Sequence, residues 1–302
     1  TVHGVGTVVT GTLATGSISV GDILAFGPRT VRVRGMQTLG RPVDAVHGVA
    51  RVALNITGDD LTGLGRGSVL VPPRAWHFTD LVDVRVTAAN VPLGNDRTMG
   101  GRPPDRPLLH IGAASLSVRF RPLSDDLARL AMDRPLPLRI GDRALLRDPG
   151  NRRIWGVTVL DPAPPPLGRR GAAAARAAAL AATPGRPDLK AEVFRRGLVQ
   201  RSLLERIGIP VDEAELGLLA ARGQVVGADG WLMSRDRAAS AHREIERIVR
   251  EEEQRSPLSP GVPLDVLTRR LHMPSRELVR ALVRPPMRVT EGQVLAGRAA
   301  VL

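Results

Sequence analysis

Apolar positions in the first half of the chain come in short runs, many of them β-branched. They fall at residues 7–12, 23–26, 31–34, 49–55 and 69–71, with Gly, Pro and Asp between them. Short strands separated by turn residues predict a small closed β-barrel over residues 1–75. Val20-Gly21-Asp22 predicts one of its tight turns. After Pro72-Pro73 the pattern is strictly period two. Val82, Val84 and Val86 alternate with Asp83, Arg85 and Thr87, and Leu116, Val118 and Phe120 alternate with Ser115, Ser117, Arg119 and Arg121. Each segment predicts a strand with one buried face. With runs at 144–146 and 154–160, these segments predict a second β-barrel over residues 76–163.

The period then changes. Asp161-Pro162-Ala163-Pro164-Pro165-Pro166 ends the β pattern, and an alanine-rich stretch at 172–182 predicts a helical connector within a linker at 164–187. Beyond it, helices are expected at 200–207 and 212–222, broken at Gly208-Ile209-Pro210 and followed by a hairpin turning at Ala228-Asp229-Gly230. The same order recurs: helices at 234–253, 264–271 and 276–283, a break at Pro274, and a second small hairpin around Glu291-Gly292. Helix, break, helix and wing, twice over, predict tandem winged helices at 188–233 and 234–302. The fold class expected is therefore multidomain, with two small β-barrels followed by α/β-type winged helices.

Composition narrows the chemistry. The net charge is +13, from 43 basic and 30 acidic residues spread over both halves. That excess suits a polyanionic partner such as RNA. It equally suits compositional drift, since the chain has a single lysine, no tyrosine, and abundant Ala, Arg, Gly and Pro. No 18-residue apolar run suggests a membrane helix. No cysteine is present, which excludes disulfides and thiolate metal sites and is consistent with a cytoplasmic protein.

Several activities are excluded outright. The sole lysine, Lys190, lies in Pro187-Asp188-Leu189-Lys190-Ala191, so these residues hold neither a G-x-x-x-x-G-K-[ST] loop nor a guanine-reading Asn-Lys-x-Asp. No serine occupies a G-x-S-x-G elbow. His3, His47, His77, His110, His242 and His272 are scattered without metal-ligand spacing. Neither a catalytic residue nor a cofactor or metal ligand is assigned within the chain.

Three segments carry a resemblance to a known family. They are Thr1 to Thr12 (TVHGVGTVVTGT), Gly48 to Ile56 (GVARVALNI, with Val31-Arg32-Val33-Arg34 before it), and Asp142 to Asp148 (DRALLRD, followed by Val159-Leu160-Asp161-Pro162). Together with the winged helices after two barrels, they resemble SelB, the selenocysteine-specific elongation factors. The resemblance implies a parent protein that binds GTP and Mg²⁺ in an upstream GTPase domain, carries selenocysteyl-tRNA to the ribosome, and holds an mRNA hairpin with its last winged helix. It further implies an amino-acid pocket against the first barrel, to which this chain contributes Arg51. An Asp-Arg pair of that pocket is expected before Thr1, and the hairpin-reading module beyond residue 302. A selenol loses its proton more readily than a thiol, so a fixed guanidinium would favour a selenolate over the hydroxyl of serine. Arg32 and Arg34 are candidates for tRNA phosphates. Arg269, Arg270, Arg276, Arg280 and Arg284 are candidates for nucleic acid in the second winged helix.

Two other readings remain open on sequence: a winged-helix DNA-binding regulator, and a barrel fragment of another translational GTPase. The expected helix at 212–222 opens with Asp212, Glu213 and Glu215, which would repel a DNA backbone.

Overall fold

A computed structural model describes residues 6–88, 101–151, 153–256 and 261–297. The first five residues of the resemblance, His3 among them, lie outside the described residues. Contacts divide the chain into two compact units, residues 1–186 with 206–208, and residues 187–205 with 209–302.

The first unit opens with β1 (Thr7–Leu13), β2 (Ser17–Ser19), β3 (Ile23–Phe26), β4 (Arg29–Thr38), β5 (Arg41–Val43), β6 (Ala45–His47) and β7 (Ala50–Thr57). Val31, Val33, Met36, Val52, Leu54 and Ile56 form the core, and alternate residues face outward. This domain is all-β, but its hydrogen-bond ladder is not closed as expected. The sheet runs β1-β7-β4-β3, with β5 added on β4, while β2 and β6 form a separate ribbon. Ile18 and Val46 of that ribbon pack into the same core, so side chains rather than backbone bonds complete the enclosure. Residues 69–71 form no strand. Only Val71 pairs, exchanging backbone bonds with Ala25 at the β3 edge. The predicted turn at Gly21 is present, with a φ of 96° that a side chain would resist, and the Asp22 carboxylate accepts the Ser19 N–H at 2.8 Å.

The second domain is a closed barrel. Its strands are β8 (Phe78–Ala88), β9 (Leu108–Ile111), β10 (Ala114–Pro122), β11 (Leu127–Pro137), β12 (Arg143–Arg147) and β13 (Ile154–Asp161), in the order β10-β11-β8-β13-β12-β9. β9 and β11 carry no clean alternation in the sequence. In β11 the first four residues, Leu127 to Leu130, are all buried, because both faces of that strand are covered.

What covers it is α1 (Ala172–Ala181), the expected linker helix. Asp83 of β8 lies between Arg129 of β11 and Asp161 of β13 in register. Arg129 makes a bidentate pair with Asp83 (2.6 and 2.9 Å), and Arg176 of α1 bridges Asp83 (2.7 Å) and Asp161. All four side chains are buried. Arg85 donates to the carbonyls of Ala181 (2.9 Å) and Thr183 (2.7 Å), serving the end of a helix that has no basic residue in its own last turn. The polar face of β8, which alternation alone assigns to water, is therefore an interface. The segment 164–187 is not a free linker: its residues through Arg186 belong to the barrel unit.

The second unit contains α2 (Leu189–Arg196), β14 (Leu198–Gln200), α3 (Arg201–Arg206), α4 (Glu213–Ala221), β15 (Val225–Ala228) and β16 (Trp231–Ser234). These are followed by α5 (Arg235–Arg255), β17 (Val262–Pro263), α6 (Leu264–Arg270), α7 (Arg276–Leu282), β18 (Arg288–Thr290) and β19 (Gln293–Leu295). Each half runs helix, strand, helix, helix, hairpin, and its small sheet takes the order first, third, second: β14-β16-β15 and β17-β19-β18. The sequence reading missed α2 and the lone strands β14 and β17, and it placed Gln200 in a helix where it is the last residue of β14. Helix starts follow the sequence closely. Asp212, Ser234 and Ser275 cap α4, α5 and α7 by accepting the N–H three residues on.

Candidate functional site: the outer face of the first sheet

The alternation that buries Val52, Leu54 and Ile56 of β7 turns Arg51, Ala53 and Asn55 outward. On the neighbouring β1, Val8, Thr10 and Thr12 face the same way. Thr12 stands directly opposite Arg51, and Thr10 opposite Ala53. Arg51 is exposed, and its Nη2 donates to Thr10 Oγ1 at 3.4 Å. From the other flank, Thr38 Oγ1 of β4 donates to the Arg51 carbonyl at 3.1 Å. Among the described residues no carboxylate pairs with Arg51, so its charge is held in place without being neutralised. Leu39 (94% exposed) and Val49 (83% exposed) sit in the loops next to Thr38 and Arg51.

Arg32 and Arg34 both project from β4 to solvent, as expected. They are not equivalent. Arg32 donates to the Gly21 carbonyl at 3.1 Å, which ties it to the sheet edge. Arg34 lies where the β4/β7 register shifts, between Val33 and Gly35. It lines a pocket of about 230 Å³ together with Gly6, Thr7, Asn55, Ile56, Thr57, Gly58 and Leu61. In that pocket wall Asn55 Oδ1 is buried without a hydrogen-bond partner, and a Cβ at Gly6 would stand 3.3 Å from it. Thus one sheet face of the first domain carries Arg51, Arg34 and a polar pocket. Sequence reasoning did not single out Thr10, Thr38 or Asn55. For Thr10 and Asn55 the signal was the outward phase of the alternation on β1 and on β7 itself, whereas Thr38 falls in the other phase of β4 and carried none.

The second-unit candidates are less open. Arg276 pairs with Glu277 (3.1 Å), and Arg280 approaches the same carboxylate (3.6 Å). Arg269 donates to the Asp265 carbonyl at 3.3 Å. Arg270, Arg284 and Arg288 are exposed. The corresponding helix of the first half, α4, instead exposes Glu213, Glu215 and Leu218.

Lys190 is on α2, with its ammonium 5.9 Å from the centre of the Phe194 ring, and forms no phosphate cradle. Among the described residues no cluster of ligating side chains could hold a metal ion, and no helix is long and apolar enough to cross a membrane.

A family model for the β-barrel domain of selenocysteine-specific elongation factors matches residues 107–166, which span β9 to β13 of the closed barrel. The selenocysteine-specific elongation factor of Escherichia coli (strain K12) is 31% identical over 174 residues, covering 56% of this chain and 27% of that protein. The chain is therefore similar to SelB-type elongation factors over its closed barrel. The selenocysteine-specific elongation factor of Desulfomicrobium baculatum is 28% identical over 152 residues, 49% of this chain and 24% of its own length. The chain thus spans about a quarter of the length of these SelB relatives. A crystal structure of the bacterial selenocysteine-specific elongation factor EF-Sec superposes on 98% of the chain and 48% of its own, with a TM-score of 0.74. At 17% identity that likeness establishes the shared fold.

Proposed function

We propose that these residues are the tRNA-docking β domains and a winged-helix arm of a cytoplasmic, GTP-dependent elongation factor that delivers selenocysteyl-tRNA to the ribosome. The observation that carries this reading is an exposed, uncancelled arginine on the outer face of the first sheet, in a chain with a SelB-type barrel. Arg51 contributes the cationic wall for the selenolate. Arg34 and Arg32 meet backbone phosphates, and the pocket lined by Arg34 and Asn55 takes part of the RNA end. GTP and Mg²⁺ belong to a GTPase domain outside these residues, because the single lysine here does not fit a phosphate site.

The helix–strand–helix–helix–hairpin order of each half of the second unit, with its first-third-second sheet, supports a pair of winged helices. In the second of them Arg269, Arg270, Arg276 and Arg280 are the candidates for nucleic-acid contact. The acidic α4 makes the first an unsuitable reader of phosphate. An mRNA hairpin is assigned to neither.

The test is competition binding of selenocysteyl-tRNA against seryl-tRNA. A fixed guanidinium facing a selenolate contributes about 1–3 kcal/mol of preference. Arg51→Ala should therefore narrow the preference while leaving affinity for seryl-tRNA nearly unchanged. An equal loss for both would reduce Arg51 to a general backbone contact.

A further inference from the structure

An arginine discriminates only if its guanidinium stays put, since a free one spends its rotamer freedom on binding. The usual anchor is a carboxylate, which orients the guanidinium but cancels the charge that an anionic ligand must find. Arg51 has a different anchor. Its Nη2 donates to the neutral hydroxyl of Thr10, two residues along β1 from its direct neighbour Thr12. Its backbone is fixed by the hydroxyl of Thr38. β-branched threonine is stiff at χ1, so Thr10 presents its oxygen in a restricted direction on a paired strand.

We propose that Thr10 is the positioning residue for Arg51: it holds the guanidinium over the sheet and leaves the full positive charge for an anionic side chain on the bound aminoacyl group. This rests on the role proposed for Arg51 and adds what makes that role selective. Thr10 takes no part in the chemistry of the ligand. It acts through Arg51, and the neutrality of its side chain is the essential property.

Thr10 is exposed, so its replacement leaves the core packing intact. Four variants of the chain, each checked for an unchanged circular-dichroism spectrum and melting temperature, are compared by competition of selenocysteyl- against seryl-tRNA. Thr10→Val keeps the shape and removes the acceptor, and should narrow the preference about two- to tenfold, the scale of one ordinary exposed hydrogen bond. Thr10→Ser restores the acceptor and should restore the preference. Thr10→Asp anchors Arg51 but cancels its charge, and should narrow the preference at least as far as Val does. Thr12→Val, the direct neighbour with no bond to Arg51, should leave it unchanged. A Thr10→Val or Thr10→Asp chain that keeps the wild-type preference overturns the proposal, as does an equal loss in Thr12→Val. A wild-type chain with no preference at all would instead overturn the role of Arg51 on which the proposal stands.

Discussion

Arginine does three different jobs in this chain, and its surroundings decide which. Arg51 is exposed and tied to hydroxyls, so its charge faces outward. Arg276 and Arg280 share Glu277 and are partly neutralised on the surface, where such pairs contribute little to stability. Arg129 and Arg176 are buried against Asp83 and Asp161, where removal of one partner strands a charge in a dry interface. Arg176→Ala removes the guanidinium that bridges two buried carboxylates, leaving Asp83 with Arg129 and taking the Arg176 charge from Asp161. It should lower the unfolding free energy of the barrel unit by about 3–5 kcal/mol, read as a fall in the denaturant midpoint. A loss below about 1 kcal/mol would show that water reaches the site. Arg51 was singled out in the sequence by the resemblance of its flanking segment, and the structure places it on an exposed sheet face. The pairing of Arg176 was not legible, because alternation places Asp83 on a solvent face and says nothing about a helix 93 residues later that covers it.

Elements were legible where a local signal defines them. The helices expected from 212, 234 and 276 start within one residue of those positions, and the structure shows Asp212, Ser234 and Ser275 capping them. Alternation found β8 and β10, and the apolar runs at 144–146 and 154–160 found β12 and β13. β11 escaped because burial on both faces removes the alternation, and β14 and β17 because strands of three and two residues leave almost no period. Non-local pairing also decided that the first sheet stays open, since closure depends on contacts between edge strands far apart in sequence.

The turn before β12 offers a pH test at this scale. Asp142 Oδ2 accepts the Arg139 N–H at 2.7 Å, yet burial pushes its pKa above the ordinary aspartate value, only partly opposed by that hydrogen bond and the Arg139 charge. A raised folded-state pKa means that the stability gained from the bound proton is complete below the unfolded value. It is lost as pH rises through the folded one. Asp142→Asn keeps an acceptor without the buried charge. Its stability relative to wild type should therefore be greater at pH 7 than at pH 3, compared by chemical denaturation at both. A constant difference would mean that Asp142 titrates as it does in water.

At the scale of the whole molecule, the change from β to helical pattern near residue 166 correctly separated a β half from a mixed α/β half. The boundary between units lies later, at Arg186, because the Arg85 and Arg176 contacts fasten α1 to the barrel. The likeness to SelB rests on the barrel match and the relatives, and the proposed docking role rests on one sheet face. That reading is tested most directly by hydrogen exchange of the chain with and without selenocysteyl-tRNA. The account predicts slowed exchange in β4 and β7 of the first sheet, centred on Arg34 and Arg51, and a smaller effect with seryl-tRNA. Unchanged exchange in both strands, with protection confined to residues 187–302, would contradict it.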